Sequence, residues 1–371
     1  MGYFLRSFSL LICSILLGSA VAFPKSQHKN VRLVNGNALS YRAERYLFPF
    51  AVINFPPEPC SPTNTNQMEG VCLSRKRCSA SGGESVGACQ QGIGTCCKFN
   101  RQCLANKRTV LVTEAVENLV QSSMAGSCEF LFPKQPGLCQ IRLDFDNVML
   151  QPPQSSGPNA GNCQSESITV SGAANLNNPL KVCGRLNKQH MILSYGASDP
   201  ISVIIHSEVV SNNFVIRATQ IPCNSVNKAP DDCLQYFTSS TAAVKSFGFP
   251  QQLNNQKYTI CVKPTSGGST FTWDRCNEVD AENTELRKRF LVSGSIDSVT
   301  PSPSTPCMTD WITIDSEKRC GKEFPALTTT DSGSHTRIRV HFDENEIGND
   351  FFNITKSESW ADPLKTCETG L

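Results

Sequence analysis

The chain has 371 residues, a formal net charge of +2 and 19 cysteines. A charge so close to balance, with no basic tract, argues against nucleic acid or an anionic membrane as the partner. That many thiols stay paired only in an oxidising compartment, which excludes the cytosol.

Chain order supports that compartment. Arg6 precedes an apolar run from Phe8 to Leu17, and Ala20-Val21-Ala22 offers small residues for cleavage, so residues 1–22 are predicted to be a signal peptide. The run is shorter than the ~20 apolar residues a spanning helix needs, and no later segment qualifies. Removing the signal removes Cys13 and leaves eighteen of the 19 cysteines, an even number that permits complete pairing. Residues 23–56 carry no cysteine and end in Phe-Pro-Pro-Glu-Pro, the composition of a linker or pro-segment. Within them, Arg42-Ala43-Glu44-Arg45 is a minimal convertase-type site, so processing at Arg45 is open; an ordinary basic linker is the competing reading.

Residues 57–99 hold six cysteines in the pattern C-x11-C-x5-C-x10-C-x6-C-C, ending in Cys96-Cys97. Poor in large apolar residues and short, this segment must be held by disulfides. Six cysteines allow fifteen pairings and spacing alone does not choose among them. From residue 105 the period changes to two. Ile141, Leu143 and Phe145 alternate with polar neighbours, as do Ile168 and Val170, then Ile201, Val203 and Ile205, then Phe214 and Ile216. Tyr258, Ile260 and Val262, then Ile312 and Ile314, then Ile338, Val340 and Phe342 repeat it. Val112 to Val120 is the one stretch with an amphipathic helical spacing. The predicted fold class is therefore mainly β: a small disulfide knot followed by two antiparallel β-sandwiches, over residues 100–222 and 223–371.

These two halves share an order of features: Cys128, Gln140 to Phe145, Cys163 and Cys183-Gly184 before Ile201 to Ile205 in one, and Cys307, Asp310 to Ile314 and Cys320-Gly321 before Arg337 to Phe342 in the other. The parallel suggests a tandem repeat. It resembles the CUB domain. Met68 to Cys72, Arg77-Cys78 and Gly94 to Cys97 resemble the arthropod clip domain. Cys139 to Phe145, Gln189-His190-Met191, Cys233 to Thr238, Val244 to Phe247 and Asn255 to Tyr258 extend the resemblance over about residues 57–365 to arthropod secreted tandem-CUB proteins with an N-terminal clip-like module.

The resemblance implies the pairs Cys60–Cys96, Cys72–Cys89 and Cys78–Cys97 in the knot, and Cys103–Cys128, Cys163–Cys183 and Cys307–Cys320 in the sandwiches. Sequence proximity adds Cys223–Cys233 and Cys261–Cys276 as expectations. Cys139 and Cys367 are then left over, either bridging the two units or signalling a different pairing. The resemblance also implies calcium, held by loop carboxylates because a hard cation prefers several oxygens. Asp310 and Asp343 stand at the matching places with Glu346 nearby; Glu166 and Glu208 are their counterparts in the first unit. The competing reading is solvated loop acids. Asn353-Ile354-Thr355 is the glycosylation sequon, which in a strand requires Asn353 to face solvent.

Catalysis finds little support. Asp331-Ser332-Gly333 lacks the glycine that precedes it in serine proteases, and none of His28, His190, His206, His335 and His341 has a matching context. No two histidines stand one helical turn apart, as a hydrolytic zinc site requires, so His190 and His206 read as structural or surface residues. The expected protein is thus secreted and non-catalytic, a binding or adaptor protein acting on an extracellular protein or carbohydrate partner. The alternatives are a non-catalytic regulator of an extracellular serine-protease cascade, or a venom or digestive-fluid component.

Overall fold

The computed structural model describes residues 58–62, 69–111, 116–121, 125–197, 200–208, 214–239, 241–264, 270–275, 292, 307, 309–321, 327–330, 335–344 and 353–358. All of them fall in the compact unit Asn54–Leu371. The expected signal peptide, the Arg42 to Arg45 site, Asp331-Ser332-Gly333, Cys276, Glu346 and Cys367 lie outside the described residues.

The knot contains β1 (Pro59–Cys60), β2 (Gly70–Leu73), the short helix α1 (Arg75–Ala80), β3 (Glu84–Cys89) and β4 (Gly94–Lys98), with sheet order β1-β2-β4-β3. Ser74 caps α1 by accepting the Arg77 N–H. Three disulfides join Cys60 to Cys96, Cys72 to Cys89 and Cys78 to Cys97. The adjacent cysteines diverge because β4 is internal and successive side chains of a strand point to opposite faces. Phe99, Val71 and Leu73 form a small core that Val116 of the next strand layer completes.

The first sandwich comprises β5 (Asn100–Cys103), β6 (Lys107–Val110), β7 (Val116–Gln121), β8 (Gly126–Phe132), β9 (Leu138–Asn147), β10 (Glu166–Ser171), β11 (Leu180–Val182), β12 (His190–Ser194), β13 (Ile201–Ser207) and β14 (Val215–Pro222). The second comprises β15 (Gln235–Phe237), β16 (Thr241–Lys245), β17 (Lys257–Val262), β18 (Thr270–Arg275), β19 (Trp311–Ile314), β20 (Glu317–Arg319), β21 (Leu327–Thr330), β22 (Thr336–His341) and β23 (Asn353–Glu358). Their strand orders coincide. Sheet β11-β10-β13-β8-β6 corresponds to β20-β19-β22-β17-β15, and β12-β9-β14-β7 corresponds to β21-β18-β23-β16, with β5 added in the first. Even the parallel edge pairs recur, β6 on β8 and β15 on β17.

Period-two burial explains these strands. Ile141, Leu143, Phe145, Ile168, Val170, Val203, Ile260, Ile312 and Ile338 are fully buried, and the core continues from one sandwich into the next. One expectation changes. The helical spacing over 112–120 becomes strand β7 from Val116, because β7 pairs with β14 along its length and its side chains fill the space between knot and sandwich; residues 112–115 are not among those described.

Two disulfide expectations are corrected. Cys223 is bonded to Cys139, not to Cys233, and Cys233 is bonded to Cys261, so the expected Cys261–Cys276 pair does not form. The reason is strand pairing. Pro222 lies opposite Leu138 at the shared end of β14 and β9, which brings Cys139 and Cys223 to a Cα separation of 4.8 Å. Parallel pairing sets β15 beside β17 and delivers Cys233 to Cys261. Cys103–Cys128, Cys163–Cys183 and Cys307–Cys320 are bonded. Asn353 opens β23, an internal strand between β16 and β18.

Mass spectrometry of a non-reduced digest is expected to yield linked Cys139–Cys223 and Cys233–Cys261 peptides and no Cys223–Cys233 peptide. Replacing Cys139 and Cys223 together by alanine should lower stability by roughly 2–5 kcal/mol in a denaturant titration.

Candidate functional site

Polar residues in the middle of strands shape the contact between the sandwiches. Gln140, fully buried, uses its amide as a surrogate peptide: Oε1 accepts the Ala229 N–H at 2.9 Å, and Nε2 donates to Ala229 O at 3.0 Å and Ser194 Oγ at 3.1 Å. Asn175 Nδ2 donates to Cys233 O, and the Ile192 N–H donates to Leu234 O at 2.6 Å. Farther along, Gln189 Nε2 reaches Ser246 O, Gln256 Nε2 reaches Lys181 O, and Asn254 donates to Gly161 O and Ala160 O. Gly161 has φ +79°, and a Cβ there would stand 2.1 Å from Asn254 Oδ1, so this approach requires glycine.

His190 lies within this seam. Its Nε2 accepts the Tyr236 N–H at 2.8 Å, and its ring meets Phe237 edge-on. That bond requires the neutral ring with its proton on Nδ1. Burial, reinforced by the Arg142 charge, pushes its pKa down to about 3. A histidine that read as isolated in sequence is thus a fixed acceptor between two modules.

Asp310 and Asp343 do come together, but through the backbone. Asp310, almost fully buried, accepts the Asp343 N–H at Oδ1, 2.7 Å, and Gln252 Nε2 at Oδ2, 3.2 Å. Glu166, its positional counterpart, accepts the Gln151 N–H and the Ser207 hydroxyl. Both carboxylates are loop staples satisfied by N–H and O–H donors. Among the described residues, the group able to converge on an ion is Asp232, Cys233 and Cys261, and the two sulfurs are bonded to each other. Both Asp310 oxygens thus accept hydrogen bonds, and among the described residues no set of carboxylate oxygens converges as calcium would want. Glu208, the other counterpart, is exposed at 4.0 Å from His206.

The outward sheet faces differ between the sandwiches. In the second, Lys257, His341 and Trp311 lie side by side on β17, β22 and β19, with Thr259, Arg339, Thr313 and Lys318 in the next row. His341 stacks on Trp311 with centroids 3.8 Å apart, and Lys318 Nζ lies 3.8 Å from the Trp311 centroid. Burial and the neighbouring Lys257 charge hold His341 below its usual pKa. The register places Ser127, His206 and Ser167 at the first-row positions of the other sandwich, with Ile204, Glu129 and Arg108 nearby.

Residues 230–359 match the animal CUB domain. A CUB domain is therefore present in the second half of the chain. No curated protein matches the chain. Similar solved structures include the CUB1-EGF-CUB2 domains of rat MASP-1, at 12% identity over 67% of this chain and 99% of that one, TM-score 0.24. The corresponding human MASP-1/3 structure has 13% identity over 66% of this chain and 100% of that one, also at TM-score 0.24. The full extracellular region of zebrafish Gpr126/Adgrg6 has 11% identity over 67% of this chain and 36% of that one, TM-score 0.25. Overlap at that level does not specify how modules are arranged.

The seam predicts an acid-sensitive fold. An unfolded His190, with pKa near 6.5, takes up a proton that the folded ring refuses until about pH 3. Its contribution to stability is complete above pH 6.5 and lost as pH falls through that window, by about 1.4 kcal/mol per pH unit. Denaturant midpoints measured from pH 7 to pH 4.5 should fall more steeply for the natural chain than for His190→Gln, whose amide oxygen can still accept the Tyr236 N–H.

Proposed function

We propose that the chain is a secreted, non-catalytic binding protein whose two sandwiches are tandem CUB modules acting as one body on an extracellular protein or carbohydrate. The observation that carries this reading is the seam: a CUB domain is joined to a second sandwich of the same strand order by buried hydrogen bonds, which fixes the spacing of the surfaces on both. Rigid sheets that display loops and faces suit recognition. Abundant disulfides and the typically extracellular setting of CUB domains support secretion. Among the described residues no helix is long and apolar enough to cross a membrane.

The histidines support a binding role over hydrolysis. His190 is locked as an acceptor for backbone, His206 Nδ1 lies 2.8 Å from Ser127 Oγ, and His335 Nε2 lies 3.1 Å from the Tyr236 hydroxyl. Only His206 has a hydroxyl on one side and a carboxylate on the other, and there Glu208 is exposed and 4.0 Å from Nε2, too far to orient the ring by a hydrogen bond.

The knot supports a second reading, regulation of an extracellular protease cascade by a clip-like module. Its three disulfides follow the pairing that the clip resemblance implies, and Ile93 is 56% exposed on its surface. A cascade regulator should lose its effect on zymogen activation with Ile93→Asp, whereas an adaptor acting through its sandwiches should not.

Recognition by these modules should not need calcium. Retention of extracellular-fluid proteins on the immobilised full chain is expected to be the same in calcium and in chelator, and calorimetry should show no calcium uptake at Asp310. Asp310→Ala should nonetheless cost roughly 2–3 kcal/mol of stability by stranding the Asp343 N–H and the Gln252 amide. Chelator-sensitive retention abolished by the same substitution would return Asp310 to the role of metal ligand.

A further inference from the structure

Local excess charge singles out one surface. Lys257, Arg339 and Lys318 are exposed on the outward face of sheet β15-β17-β22-β19-β20, and none forms an ion pair among the described residues. Two of the acids nearby are committed elsewhere, Asp232 to Arg337 at 2.8 Å and Glu317 to Arg319 at 3.1 Å, while Asp310 and Asp343 act on His341 at the end of the strand. In the first sandwich Arg108 is paired with Glu129, Arg101 with Glu117, and Arg217 with Asp144 and Asp146, while Lys181, in the register place of Lys318, is an exposed cation without the companions that Lys257 and Arg339 provide. For a chain of net charge +2, three unpaired cations on one face form a concentrated field.

The scaffold does not demand these residues. Where the second sandwich has Lys257, Trp311 and Arg339, the first has Ser127, Ser167 and Ile204 in equivalent register, and both sheets form. Trp311 has a particular task on this face. With His341 stacked on one side, it offers its other side to Lys318, restricting a flexible ammonium to one place before any ligand arrives.

We propose that this face docks a sulfated polysaccharide, with Lys257, Arg339 and Lys318 contacting its anionic groups and Trp311 positioning Lys318. The inference rests on the extracellular reading above. From β17 to β20 the cations span three strand spacings, about 14 Å. A linear polyanion laid across the strands meets all three, and because the cations are exposed their attraction for it is open to screening by salt. Between them stand Thr259 and Thr313, hydroxyls suited to a sugar chain. Trp311 is covered by His341 and Lys318 and so is not free to serve as the aromatic anchor a partner protein relies on, and a membrane surface would want exposed apolar side chains to insert.

The test uses the purified full-length chain and a size-defined heparin fragment as probe. Binding is expected to weaken steeply with added salt and to disappear with a desulfated fragment. Lys257→Ser with Arg339→Ile, which installs the other sandwich's residues, should weaken binding by roughly tenfold or more with an unchanged denaturant midpoint, while Lys181→Ser in the first sandwich should have no effect. Trp311→Ser should weaken binding less, Trp311→Phe should restore it, and in a Lys318→Ser background Trp311→Ser should add nothing. Undiminished binding by the double variant, equal binding of the desulfated fragment, or preference for polyglutamate or phosphatidylserine vesicles over heparin would overturn the proposal. Failure of the chain to reach the medium of an expressing cell would undo the extracellular reading instead, whatever heparin does.

Discussion

A backbone N–H buried without an acceptor costs on the order of 1–3 kcal/mol. The meeting of the two sandwiches buries several, at Ile192, Ala229, Tyr236 and Asn254. Almost every feature of the architecture follows from how those groups are satisfied. Gln140 stands in for a peptide bond opposite Ala229, His190 gives Tyr236 a neutral nitrogen, and Gly161 lets Asn254 approach. Such bonds have direction, so they hold a register that apolar contact alone would leave free to slide. Cys139, which might have tied the two sandwiches covalently, instead closes the end of the β9–β14 pair, leaving the described contacts between the sandwiches non-covalent.

The same scaffold appears twice with different surfaces. Interior positions carry the same burden in both, and even the buried acid at the head of the inner strand recurs as Glu166 and Asp310, each a staple for a loop backbone. Outward positions are released from packing, and there the two diverge: the first sandwich has Ser127, Ser167 and Ile204 where the second gathers Lys257, Trp311 and Arg339. Divergence on a shared frame is where specificity can reside, since changing an exposed side chain leaves the core untouched.

Much of this was legible before any coordinates. Ile141, Leu143 and Phe145, and Ile338, Val340 and Phe342, lie in the core as their alternation requires, because one buried face imposes period two on a strand. The seam was harder to read. Gln140 and His190 break the apolar pattern within buried strands, a signal of polar burial, but their partners at Ala229 and Tyr236 are distant in sequence. Val116 to Val120 showed the opposite failure: a helical spacing was overridden by the strand pairing available along β14. The charged face could not be assembled from sequence, because Lys257, Trp311, Lys318 and Arg339 become neighbours only through strand register.

By itself, then, the sequence determined the β class and the identity of most core residues, both of which depend on composition and local period. Tertiary structure alone decided which distant groups meet. Cys223 finds Cys139 because two strands end together, not because of any closeness along the chain. Asp310 meets a backbone N–H where its position suggested a cation. These outcomes hinge on register and orientation, which a one-dimensional pattern leaves unspecified until every buried polar group has been given its partner.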